Sequence, residues 1–253
     1  MRDRVRSILV YKGNKILDRL PADVITRLEP DLSVITLELH DIVHRPGEDI
    51  EYLYFPLTCL ISITITMSEG QTVEAGAAGS REVVGINAFM GGRETTQTEY
   101  ITQLAGDAVK IAAAPLKIEF DRNTALRSIL LKYTQAMIAQ ISQNVGCNRI
   151  HEVSNRCARW LLEVRDRVRC DTFGLTQEFL SQMLGTSRVS VNKAMSELKH
   201  LGIIDYSRGH VAILKLVELE LRSCECYFVL RDEYDRLLGA VPNYSDGFED
   251  RRQ

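Results

Sequence analysis

The sequence predicts an α+β fold in three parts: an N-terminal antiparallel jelly-roll β-barrel, a long helix, and a C-terminal winged helix-turn-helix. Three observations predict it. From Leu32 to Ala114, short β-prone runs alternate with turn signals. From Leu126 to Val168, apolar residues recur at helical spacing. From Leu175 to Leu214, two short helical patterns flank a glycine and lead into two short β-prone runs. The expected boundaries are 14–124 for the barrel, 125–169 for the long helix, and 170–240 for the winged helix with a final helix.

Ahead of the barrel, apolar residues at 16, 17, 20, 24, 25 and 28 are interrupted by Pro21, which predicts two short helices or one broken helix. Val34, Leu37 and Leu39 begin the strand region, and the runs from Ile50 to Phe55 and Leu57 to Thr66 are β-branched and aromatic. Ile61 to Thr66 alternates strictly, so one face should be buried and the other wet. Turns are signalled at Pro46-Gly47, Glu69-Gly70, Gly79-Ser80, Gly91-Gly92 and Gly106-Asp107. This spacing suits a jelly-roll barrel.

The helical stripe begins Leu126, Leu130, Tyr133, Met137, Ile141, Val145 and continues Ile150, Val153, Cys157, Trp160, Val164, Val168, with Gly146 marking a bend. It could pack wholly on the β-domain. It also suits a dimerisation seam between two such helices, with Asn144 or Asn148 as a polar register-setter. The seam is the preferred reading.

In the next unit, Thr176 is an N-cap and Glu178 lies in the first helical turn, where a carboxylate suits the helix dipole. Phe179, Leu180, Met183 and Leu184 form the apolar side, and Gly185 supplies the turn. Ser187 caps a second helix whose inner side is Val191, Ala194, Met195 and Leu198. Its outer start is Arg188, Val189, Ser190, Asn192 and Lys193. Such side chains can bond base edges and phosphates in a major groove, and Thr176 and Gln177 join them from the first helix. An ordinary helical hairpin would account for the leucines but not for this polar, exposed start. Leu201 to Tyr206 and Val211 to Leu214 then form a hairpin through Ser207-Arg208-Gly209-His210, placing Arg208 and His210 at a wing tip near phosphates. Val217 to Leu238 reads as one final helix, and the tail from Pro242 is polar.

The chain has 253 residues and a net charge of −3, which does not itself advertise nucleic-acid binding. From Arg149 to Arg169, six arginines face Glu152, Glu163 and Asp166. From Cys170 to Lys215 the excess is a single positive charge. Nonspecific DNA affinity should be modest, leaving base contacts and dimerisation to supply much of the binding. No apolar run approaches the roughly 20 residues of a membrane span. The charged start Met1 to Arg6 lacks signal-peptide features, so a cytoplasmic location and reduced cysteines are expected. No Gly-x-Ser-x-Gly elbow, phosphate-cradling loop or carboxylate pair with a pocket is evident, so no enzymatic activity is expected.

Barrel, long helix and winged helix, in that order, resemble the Crp/Fnr superfamily of bacterial transcription regulators over residues 14–215. The most specific part is Leu175 to Leu214. Arg159-Trp160-Leu161-Leu162 with Asp166-Arg167, and Pro46-Gly47-Glu48, are also similar to the family. The resemblance implies a homodimer that reads a near-palindromic site in double-stranded DNA, with RNA polymerase as a partner if it activates, and no membrane. It implies that Arg188 reads guanine, that Ser187 and Thr176 position phosphates, and that Lys193 and Ser190 share the reading face. Val189 departs from the glutamate of the best-known members and suits a thymine methyl instead.

In the sensor barrel the resemblance weakens. Cyclic-nucleotide-binding members use a Gly-Glu turn and, about ten residues later, an arginine that holds the phosphate. Here the turn is Gly85-Ile86-Asn87, and Arg81 and Arg93 are offset from the arginine position. Cyclic AMP is not the expected ligand: the barrel either binds another small molecule, for which Arg81, Gly85, Asn87 and Arg93 are the candidate contacts, or binds nothing. An iron–sulfur cluster is not expected, since no cysteine precedes Cys59; haem has no specific support. No metal site is expected. Cys224 and Cys226 would point to nearly opposite sides of a continuous helix, so sharing an ion would need an unwound segment. Cys147 and Cys157 read as small core residues rather than a redox switch. His40 and His44 read as solvated surface residues. The alternative function is a small-molecule-sensing module whose helical unit binds a protein instead of DNA.

Overall fold

The computed structural model describes residues 11–91 and 98–239. A 3-10 turn over Leu17–Arg19 and the helix α1, Ala22–Leu28, precede the barrel, with the break at Pro21 as expected. The barrel strands are β1 Leu32–Leu37, β2 Ile42–His44, β3 Tyr52–Pro56, β4 Leu60–Thr66, β5 Thr72–Ala78, β6 Thr98–Leu104 and β7 Gly106–Ala112. They pair antiparallel in two sheets, β1-β7-β3 and β2-β6-β4-β5. Between them lie Leu37, Tyr54, Ile61, Ile63, Val84 and Tyr100. The short α2, Asn87–Met90, follows β5.

The alternation of β4 does not leave one face wet. Ser62 and Thr64 are buried as fully as Ile61 and Ile63. The outer face is covered by the C-terminal half of the molecule. The Ser62 hydroxyl donates to Glu74 on β5 (2.7 Å), and the Trp160 indole donates to the other oxygen of Glu74 (3.2 Å). Polar residues are tolerated there because each has a partner.

After α3, Ala113–Asp121, comes α4, Ala125–Ile150, whose 26 residues span about 39 Å. It continues through Gly146 and stops at His151-Glu152, both extended, before α5, Val153–Val168. The single helix expected over 125–169 is therefore two. The reason is packing: Cys157, Trp160, Leu161, Leu162 and Val164 turn into the core of the C-terminal unit, while Leu126, Leu130, Tyr133 and Ala136 pack on the barrel.

The C-terminal unit contains β8 Thr172–Gly174, α6 Gln177–Met183, α7 Arg188–His200, β9 Ile204–Ser207 and β10 His210–Ile213, with sheet order β8-β10-β9. Arg208 and Gly209 both have positive φ (48° and 77°), the geometry of a tight hairpin turn that follows the strand twist. The expected last helix is also two: α8 Leu216–Arg222, an unwound joint Ser223–Glu225, and α9 Cys226–Leu238. Returning to the barrel side, α9 buries Tyr234 and Leu238 in the cluster of Leu126, Leu130 and Tyr133, and the Tyr234 hydroxyl donates to Gln140 (2.7 Å).

An ionic joint fastens α5 to the barrel. Arg167, buried, lies 3.2 Å from Glu82 and 3.2 Å from Glu163, and Arg159 pairs with Glu163 at 2.6 Å. The Ser80 amide donates to the Arg167 carbonyl (3.0 Å). Gly79 leaves room for this approach: a Cβ there would lie 2.3 Å from Arg167 Cβ. No helix of the described residues is long and apolar enough to cross a membrane.

Candidate nucleic-acid interface

The first helix of the motif, α6, is capped by Thr176, whose hydroxyl accepts from the Phe179 amide (3.1 Å). Leu180 and Met183 hold it in the core. Gly185 makes the turn at φ 56°, and Ser187 caps α7 by accepting from the Ser190 amide (3.2 Å). Val191, Ala194, Met195 and Leu198 bury the inner side of α7. That anchoring fixes which side chains face outward.

Four of the five residues expected to face outward are exposed, and Ser190 is half-buried. Arg188 is 65% exposed, Val189 is 79% exposed, and Asn192 and Lys193 are exposed beside them. A valine so exposed at a helix start adds nothing to the chain's own core. Arg188 forms an ion pair with Glu178 across the turn (2.6 Å). Gln177 donates to Asn192 (3.3 Å), joining the two helix starts, while Ser187 and Ser190 share a hydroxyl–hydroxyl bond (2.9 Å). Arg208 lies at the hairpin turn and His210 is the first residue of β10, both exposed. One contact was not foreseen: Lys199 reaches the Tyr206 carbonyl (2.7 Å) and Asp205 (2.9 Å), tying α7 to the wing.

The expected effector set does not converge. Arg81, 12% exposed, points at α9, with its guanidinium 4.8 Å from the Tyr234 ring and 3.9 Å from Asp235. Gly85, at φ 97°, is hemmed in by the Tyr52 carbonyl, His44 and Ile50. Asn87 begins α2, and Arg93 lies outside the described residues. A cavity of about 480 Å³ on the barrel is lined by Glu48, Asp49 and Glu51 against Lys110, with His44, Tyr52 and Tyr54 beside them. His44 is not a surface residue. It is buried edge-on to Tyr54 and Tyr100, and burial holds its pKa down at about 4.

The expected dimer seam is split by burial. Leu126, Leu130 and Tyr133 are spent on the chain's own core, Met137 is half-buried, and Asn144 donates to the Ala75 carbonyl (3.1 Å) while accepting from Arg159 (3.0 Å). Ile141, Val145 and Asn148 remain outside. Two residues missed in the sequence, Leu131 and Ile138, extend that outer face. The seven-residue steps 131, 138, 145 were the available signal.

Residues 155–222, from α5 to the end of α8, match the family of Crp-like helix-turn-helix domains. The chain is 23% identical over 197 residues to the CRP-like cAMP-activated global transcriptional regulator of Mycobacterium tuberculosis, covering 75% of this chain and 87% of the relative. It is 19% identical over 201 residues to the global nitrogen regulator of Nostoc sp., covering 74% and 87%. Its fold matches FixK2 from Bradyrhizobium japonicum with a TM-score of 0.66 at 14% identity, over 76% of this chain and 98% of that one. A CRP-family transcriptional regulator from Thermus thermophilus matches at 0.61 and 17% identity, over 75% and 96%. A capped, outward-facing reading helix on a winged unit, found in a chain with these relatives, defines a DNA-binding transcription regulator. The chain thus carries a Crp-like helix-turn-helix domain and is similar, over 75% of its length, to a CRP-like transcriptional regulator.

Proposed function

We propose that the protein acts as a homodimer that inserts two copies of α7 into successive major grooves of a near-palindromic site. The observation that carries this reading is the exposed start of α7, where Arg188, Val189, Asn192 and Lys193 stand out from a helix whose other side is wholly buried. Arg188 reads a guanine bidentately, Val189 touches a thymine methyl, and Thr176, Ser187, Arg208 and His210 position phosphates. The apolar face of Leu131, Ile138, Ile141 and Val145 on α4, continued by Asn148, supports the dimer.

The relative from Mycobacterium tuberculosis is named as activated by cAMP. The acidic cavity and the diverted Arg81 argue against an anionic nucleotide in this chain, so any effector of the barrel belongs to another chemical class. Action in the cytoplasm, with RNA polymerase as a partner if the protein activates, is part of the same proposal. The test is a gel-shift titration on a site selected from random DNA. Arg188→Ala should abolish preference for the selected site while leaving dimerisation intact; unchanged discrimination would reject its role.

A further inference from the structure

We propose that Cys147, His151, Cys224 and Cys226 form a tetrahedral zinc site that fastens the end of α4 to the joint between α8 and α9. Their ligand atoms all lie within 4.8 Å of one another. Cys147 lies in the last turn of α4, and His151 is the first residue beyond it. Cys224 lies in the unwound joint and Cys226 opens α9. The unwound segment that a Cys-x-Cys pair needs in order to share an ion is thus present.

The spacing matches zinc. With Zn–S about 2.3 Å and Zn–N about 2.0–2.1 Å, a tetrahedron has S···S edges of about 3.8 Å and S···N edges of about 3.6 Å. Cys147 Sγ and Cys224 Sγ are 3.6 Å apart, and Cys226 Sγ is 3.5 Å from His151 Nδ1. A disulfide between Cys147 and Cys224 would leave Cys226 and His151 converging on the same point without purpose. Four protein ligands close the coordination shell, the mark of a structural site.

The surroundings fit as well. His151 Nε2 is 3.1 Å from a Glu225 carboxylate oxygen, so the ring nitrogen away from the metal donates to a carboxylate, a common support for a ligating histidine. The Gln143 amide donates to Cys226 Sγ (3.0 Å). Three thiolates, a neutral imidazole and Zn²⁺ carry one net negative charge. Binding releases the thiol protons to solvent. Asn155 donates to the Arg222 carbonyl (2.9 Å), holding α8 against α5 so that the joint stays near the end of α4.

The experiment measures metal content and cobalt spectra of the full-length protein, purified under reducing conditions and, after chelation, refilled with Zn²⁺ or Co²⁺. About one zinc per chain is expected for the wild type and for Cys170→Ser, whose thiol is exposed and outside the cluster. Cobalt should give thiolate charge-transfer bands and the intense visible bands of tetrahedral geometry. Cys226→Ser should lose both signals while retaining a native circular dichroism spectrum. Should that variant fail to fold, His151→Gln, at the partly exposed rim, is read instead and should bind cobalt at least tenfold more weakly with altered bands. Wild type that takes up neither ion, octahedral cobalt, an iron–sulfur spectrum, or a Cys147–Cys224 disulfide in place of metal would each overturn the site. So would equal affinity in wild type and in the folded variant. DNA binding by α7 enters none of these readouts.

Discussion

Arg188 and Glu178 hold one another across the turn between α6 and α7, both largely exposed. Such a pair contributes at most about 1 kcal/mol, yet it competes directly with DNA. Glu178→Gln should therefore raise affinity for nonspecific duplex by up to about fivefold, measured by fluorescence anisotropy at fixed salt; weaker binding would contradict that role. The reading residues were legible in the sequence because capping and helical period fix which way each points. His44 was not, since its neighbours Tyr54 and Tyr100 come from distant strands. Burial lowers its pKa to about 4 from an ordinary 6.5. Between those values the unfolded chain binds a proton that the native chain does not, so stability should fall as pH drops from about 6.5 toward 4, by up to about 3 kcal/mol. Urea unfolding across this range, compared with His44→Gln, checks it: the variant should show a flatter dependence.

Among the elements, α5 decides how the reading unit sits on the barrel. Its Arg167 is buried against Glu82 and Glu163. Removing one partner leaves a buried charge uncompensated, so Arg167→Ala should cost about 3–5 kcal/mol in denaturant unfolding. Gly79→Ala should act more selectively, pushing α5 off the barrel without creating a charge. Its expected signature is faster proteolysis between the two units while the barrel stays folded; an unaltered cleavage pattern would count against this joint. The barrel region, the wing hairpin and both helices of the reading motif could be seen in the sequence from alternation, glycine placement and caps, whereas β8 could not. The breaks at His151-Glu152 and Ser223–Glu225 could not. Neither contains proline or glycine, and both follow from where the flanking apolar faces must pack. The cysteine cluster was hidden for the same reason, as it exists only once both breaks bring their ends together.

At the scale of the whole molecule, α4 carries two apolar stripes. The sequence shows their summed pattern, and only burial separates them. Leu126, Leu130 and Tyr133 serve the barrel, whereas Leu131, Ile138, Ile141 and Val145 face outward. A carboxylate placed in a helix seam is desolvated against its own copy. Ile138→Glu and Val145→Glu should each convert a dimer to a monomer at micromolar concentration in analytical ultracentrifugation, with folding retained; persistent dimers would place the seam elsewhere. With a net charge of −3, the molecule cannot hold DNA by electrostatics alone, so a monomer should also lose operator binding.

The most direct measurement is hydroxyl-radical footprinting on a sequence selected from random duplexes by the full-length protein. Two protected patches, centred one helical turn apart (about 34 Å) and related by two-fold symmetry, are expected for the wild type. Arg188→Ala should lose them at concentrations where it remains dimeric. Failure to enrich any sequence, or a selected footprint that survives Arg188→Ala unchanged, would contradict DNA reading by α7.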